Sequence, residues 1–139
     1  MTAPELRAWV LGAAYGVPDA IAPFSQAVQC GDVLHVTGQM PIDSATGALV
    51  QGGVREQTDA VMTNLERVLH HCGTSLDAVV SVRAYLTSFD GYAAFNAAYA
   101  AWFSEPFPAR TCIGVTGLAL GALVEIDLIA AVDGSQRRT

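Results

Sequence analysis

Two charged residues stand where an apolar strand does not predict them. Between Pro108 and Val132 the chain reads PARTCIGV, then TGLALGA, then LVEIDLIAAV. Two apolar, β-branched runs flank a Gly-rich connection, the pattern of an antiparallel strand pair. Arg110 opens the first run and Glu125 lies inside the second. Side chains alternate along a strand, so Arg110, Cys112 and Gly114 share one face, with Thr111, Ile113 and Val115 on the other. In the second run Glu125, Asp127 and Ile129 share a face opposite Val124, Ile126 and Leu128. A charge in such a strand is costly to bury unless it is paired. One reading is a salt bridge, or charges that keep a sheet edge from aggregating. The other is a site: a guanidinium that forks onto a substrate carboxylate, with a carboxylate nearby that moves protons.

The remaining chemical candidates are weaker. Cys112 has no histidine near it in sequence, and thiol reactivity needs a lowered pKa, so it reads as a thiol lining a pocket. Cys30, Cys72 and Cys112 form no C-x-x-C pair. Neither a disulfide frame nor a zinc site is supported, and a reducing cytoplasm fits best. His70 and His71 are adjacent, so they do not face one metal. His35, inside a strand, reads as structural. No P-loop, G-x-G-x-x-G or H-E-x-x-H occurs.

The elements that must position Arg110 and Glu125 follow from periodicity. Ser25–Cys30 and Val33–Gln39 are short strands split by Gly31-Asp32, a hairpin signal. Val54–Cys72 is the clearest helix: Val61, Leu65, Val68, Leu69 and Cys72 form one stripe, and Gly73 suits the position after its end. Ala78–Thr87 is a strand with Val80, Val82, Ala84 and Leu86 turned to the helices. Arg83 and Tyr85 lie on an amphipathic face that suits an interface. Arg83 reads as an interface salt bridge or a second anion anchor. Asp90 is the expected cap of a second helix. Its stripe Tyr92, Phe95, Tyr99, Trp102 and Phe103 reads as core packing, and Pro106 and Pro108 stop it. The order is β-β-α-β-α-β-β, an α+β domain with two helices on one face of a single sheet. Residues 1–20 form an N-terminal arm, with Leu6, Trp9, Val10 and Ala13 available for a short helical face. Residues 21–133 form the domain, and 134–139 a polar, frayed tail.

Composition bounds the partners. Hydrophobic residues make up 52% of the 139 residues and charged ones 14%, too apolar for a small free-standing surface. No apolar run approaches the ~20 residues of a membrane-spanning helix, and Ala8–Ala14 lacks the flanks of a secretory signal. An obligate oligomer is therefore expected. The net charge of −6 argues against nucleic acid as partner.

A family resemblance enters here. Ala22-Pro23-Phe24-Ser25-Gln26-Ala27-Val28 and Val36-Thr37-Gly38-Gln39-Met40-Pro41-Ile42-Asp43 are followed by Glu56-Gln57-Thr58, Asn64-Leu65, Phe95-Asn96 with Tyr99, Pro108-Ala109-Arg110-Thr111-Cys112 and Gly121-Ala122-Leu123-Val124-Glu125-Ile126. In this order, over residues 20–132, the chain resembles the RidA/YjgF family of small deaminases. The resemblance implies a chorismate mutase-like α+β fold and a homotrimer with sites in the clefts between subunits. It implies hydrolysis of 2-imino or 2-enamino acids to 2-keto acids and ammonia, with no metal and no organic cofactor. Arg110 falls on the family's substrate-carboxylate arginine and Glu125 on the glutamate thought to activate water. Cys112, Thr37, Gly38 and Asn96 fall on segments bordering the substrate. Phe24 stands where the family usually has tyrosine, and Gly114-Val115-Thr116-Gly117 lacks bulky or charged side chains, so a more open or apolar pocket is expected. Two alternatives stay open: a member deaminating a longer unsaturated amino acid of the aminomuconate kind, and a non-catalytic carrier or sensor of a carboxylate metabolite. Ribonuclease activity, ascribed to relatives, is disfavoured by the acidic balance.

Overall fold

The first regular pairing forms where the sequence turns most sharply. β2 (Ala27–Cys30) and β3 (Val33–Gln39) pair antiparallel across Gly31, whose φ of 58° is open to glycine at no steric cost. In this computed structural model, which describes residues 2–139, they join a six-stranded sheet. The further elements are β1 (Leu6–Trp9), α1 (Val54–His71), β4 (Val79–Leu86), α2 (Tyr92–Ala100), β5 (Ala109–Gly114) and β6 (Val124–Ala131). The strand order is β1-β2-β3-β6-β4-β5, with β4 and β5 parallel and the other pairs antiparallel. Both helices cover one face, where Phe95 of α2 and the α1 stripe join one core with Leu34, Val82, Ile126 and Leu128. The α+β class and the helix arrangement are as expected.

Val61, Leu65, Val68 and Leu69 of α1 are completely buried, each worth about 1.5–3 kcal/mol. Polar residues on the same helix pin loops to it. Asn64 Nδ2 donates to the carbonyls of Met40 (3.0 Å) and Ile42 (2.9 Å), and Gln57 Oε1 accepts from the Leu123 N–H (2.8 Å). At the other end of the sheet Gln26 Oε1 accepts from the Leu11 N–H (2.8 Å). Each is a buried side chain matched to a backbone group that would otherwise go unpaired.

Five expectations are corrected. β5 and β6 do not pair: β4 lies between them. β6 buries every residue of its inner face, from Val124 to Ala130, so its stability requires neighbours on both sides. β5, with Thr111 and Ile113 exposed, takes the edge. The short N-terminal helical face is a strand: Leu6–Trp9 pairs with Cys30–Ala27. Isolated short helices are marginal, and this strand covers the otherwise open edge of β2. In β4 a register shift between Val79 and Ser81 turns Val79 inward and leaves Val80 54% exposed. Asp90 does not cap α2, whose N-cap is Gly91 without a side-chain bond; Ser88 instead caps the short 3-10 turn Phe89–Gly91 before it, its hydroxyl accepting from the Asp90 N–H (3.1 Å). Residues 134–139 are not loose throughout, since Arg137 is bonded to three carbonyls.

Candidate functional site

Arg110 lies on the edge strand β5 in register with Val82, so its side chain turns to the helix face, where α2 meets it. Tyr92, Phe95, Asn96 and Tyr99 recur at helical spacing and share that side of α2. Arg110 Nη2 donates to Asn96 Oδ1 (2.9 Å) and to the Tyr92 hydroxyl (3.2 Å). The guanidinium sits 4.9 Å from the Tyr99 ring centre and 5.4 Å from that of Phe95, a cation against aromatic faces. All these partners are neutral. Among the described residues the one ion pair is Arg83 with Asp127 (2.7 Å), so Arg110 is a half-buried cation without a counter-ion. Its Nε and Nη1 groups make no hydrogen bond to the described residues and remain available for a planar anion.

Beside Arg110 lies a cavity of about 250 Å³ lined by Asn96, Tyr99, Ala100, Phe107, Pro108 and Arg110. The Tyr99 hydroxyl is buried and has no partner among the described residues. Burial pushes its pKa up to about 12, against the opposing pull of Arg110 and Arg137. Cys112 shares the face of Arg110 and packs against the core. Burial raises its thiol above the ordinary range, with Arg110 pulling the other way, so it carries little thiolate near neutral pH.

Glu125 heads a second group on the opposite, uncovered face of the sheet. It is in register with Tyr85, while its neighbours Val124 and Ile126 point to the core. Its carboxylate lies on Gly38: a Cβ there would stand 2.8 Å from Glu125 Oε2, so only glycine permits this approach. Burial raises the Glu125 pKa above the ordinary carboxylate range, and the charge of Asp127 adds to the effect. Asp127 is itself held by Arg83 and by the Tyr85 hydroxyl (2.8 Å). Arg83 is therefore engaged within its own chain. The Thr37 N–H donates to the Gln26 carbonyl (2.9 Å), which fastens the loop carrying the exposed Phe24 to β3 beside Gly38.

The chain thus gathers Arg110, Asn96 and Cys112 in one group and Glu125 with Gly38 and its neighbour Thr37 in another, with Phe24 on the loop that Gln26 ties to Thr37. It does not bring the two groups together. Arg110 is level with Leu128 across β4, three residues along β6 from Glu125. Sheet spacings put their Cα atoms roughly 14 Å apart, and their side chains leave opposite faces. One small molecule can meet both only where two copies of the chain abut. The sequence assigned Tyr92 and Tyr99 to plain packing; their hydroxyls on the Arg110 side of α2 were the signal that they do more. His35 is exposed on the open face. Among the described residues no three His, Cys, Asp or Glu side chains gather as metal ligands, and no helix is long and apolar enough to cross a membrane.

Fold and site define a class: a single-sheet α+β domain with an uncompensated arginine at the sheet edge beside a small cavity. A family model described as endoribonuclease L-PSP matches residues 16–132. A RutC family protein of Pyrococcus horikoshii is 40% identical over 113 residues, 81% of this chain and 90% of the relative. A 2-iminobutanoate/2-iminopropanoate deaminase of Dermatophagoides farinae is 34% identical over 116 residues, 84% of this chain and 91% of the relative. The crystal structure of RidA from an Antarctic Psychrobacter superposes with a TM-score of 0.85 at 32% identity, covering 90% of this chain and 99% of that one. The chain belongs to this endoribonuclease L-PSP family, the RidA/YjgF family.

Proposed function

We propose that the protein hydrolyses 2-imino and 2-enamino acids to 2-keto acids and ammonia, at sites built between the copies of a cytoplasmic homotrimer. The observation that carries this reading is Arg110, a cation without a counter-ion whose free N–H groups border a small cavity. A carboxylate on that fork fixes the orientation of an imino acid. Glu125 of a neighbouring copy then takes a proton from water, and the oxygen adds to the imine carbon. The resulting carbinolamine receives that proton on nitrogen, its hydroxyl gives up its own proton to the Glu125 carboxylate as the C–N bond breaks, and ammonia leaves a keto acid. Burial of Glu125 suits it to this base role near neutral pH. No step draws on a metal or an organic cofactor.

Association of copies is supported by the uncovered sheet face, which exposes Val28, Val33, Val80 and Ile113 on the same side as Glu125; the number three rests on the family resemblance. Apolar patches of this kind mark association surfaces. The deaminase relative supports the chemistry.

The test couples an amino-acid oxidase, which produces 2-imino acids, to semicarbazide trapping. The protein is expected to suppress trapping, and Arg110→Ala to abolish the suppression. Full activity in Arg110→Ala would refute the mechanism. No suppression with any imine, alongside retained binding of 2-keto acids, would favour the non-catalytic carrier.

A further inference from the structure

The far end of the chain reaches back to the segment that leads into the Arg110 cavity. Arg137 Nε donates to the Pro106 carbonyl (2.7 Å), and Nη1 donates to the carbonyls of Leu76 (2.8 Å) and Val79 (2.9 Å). Its backbone N–H donates to the Asp77 carbonyl (3.3 Å). The guanidinium also lies 5.6 Å from the ring centre of Phe103. One side chain thereby ties the segment before β5 to the turn before β4. That segment continues directly into Phe107 and Pro108, the cavity wall that α2 does not supply. Phe107 is 45% exposed, so its own packing does not fix it.

The cavity has a mixed lining: Arg110 and Asn96 are polar, while Ala100, Phe107 and Pro108 are apolar. Its volume of about 250 Å³ falls below the ~300 Å³ at which pockets admit drug-sized ligands, a fit for a metabolite's side chain. Resting on the carboxylate-binding reading of Arg110, we infer that Arg137 is a positioning residue. It holds Pro106, Phe107 and Pro108 as the wall of a pocket for the substrate's apolar side chain. The tail beyond β6 thus sets which side chains are accepted. Carbonyl oxygens accept strongly from a charged donor, and lysine, with a single ammonium, spans fewer of the three.

The experiment uses the full chain with Arg137→Ala and Arg137→Lys, and compares 2-imino acids with one-carbon and four-carbon side chains. In Arg137→Ala the KM ratio of long to short substrate is expected to rise about tenfold, the scale of lost apolar pocket contacts. Arg137→Lys should restore part of it. In the unliganded protein the side-chain Nε–H NMR signal of Arg110 should shift in Arg137→Ala and shift less in Arg137→Lys. An unchanged KM ratio, or an equal rise for both substrates, overturns the inference whatever happens to thermal stability. If the wild type turns over no imino acid, the deaminase reading fails. The Arg110 signal then decides alone: unmoved in both variants, it removes the positioning role.

Discussion

Arg110 and Glu125 are a cation and a carboxylate in different environments. Arg110 is held by neutral oxygens and aromatic rings. Arg110→Lys loses the planar fork, so 2-keto acid affinity measured by calorimetry should fall about tenfold or more. Glu125 has a raised pKa. As a base it must be ionised, so turnover should rise with pH through that raised value, and the acid limb should lie above that of an ordinary glutamate. Glu125→Gln should remove the limb and the turnover while leaving keto acid binding intact. The folded state binds this proton more readily than the unfolded state, so Glu125 weakens the fold as pH rises through its window. Thermal melting should therefore show Glu125→Gln stabilised at neutral pH and unchanged at acidic pH. That Arg110 and Glu125 lie in strands was legible, because charges in apolar strands demand a reason. What surrounds Arg110 was not: Tyr92 and Tyr99 share the period of the core residues Phe95 and Phe103, and periodicity is blind to a hydroxyl.

Among the elements, α1 was read almost to the residue because five apolar positions repeat on one face between Gly53 and Gly73. Leu65 is fully buried, and Leu65→Ala should cost about 2–5 kcal/mol in denaturant unfolding. The closing strands show the opposite case. Their apolar runs announced two strands, but pairing is decided by what each buries on both sides, and β6 needed β3 and β4 more than β5. Val80 was placed on the wrong face because a one-residue register shift inverts alternation. β3, whose register shifts between Val36 and Gln39, carries a further test. Gly38→Ala places a methyl group against the Glu125 carboxylate. The expected result is a large fall in kcat with the fold retained, seen by comparing turnover with circular dichroism.

For the whole molecule, the apolar excess in the sequence predicts a surface needing cover, and the sheet face opposite the helices is the exposed apolar face that fits it. The number of copies was not legible from composition, because an exposed apolar face calls for cover without saying how many copies supply it. The decisive feature is geometric. Arg110 and Glu125 leave opposite faces of one sheet, so the proposed site takes one residue from each of two copies. Arg110→Ala and Glu125→Gln chains, each inactive alone, are co-expressed and the mixed oligomers assayed with an imino acid. In a ring of equivalent heterologous interfaces with random mixing, about a quarter of the sites regain both residues. The account predicts recovery of that fraction of wild-type turnover. No activity in mixed oligomers of confirmed composition would contradict it.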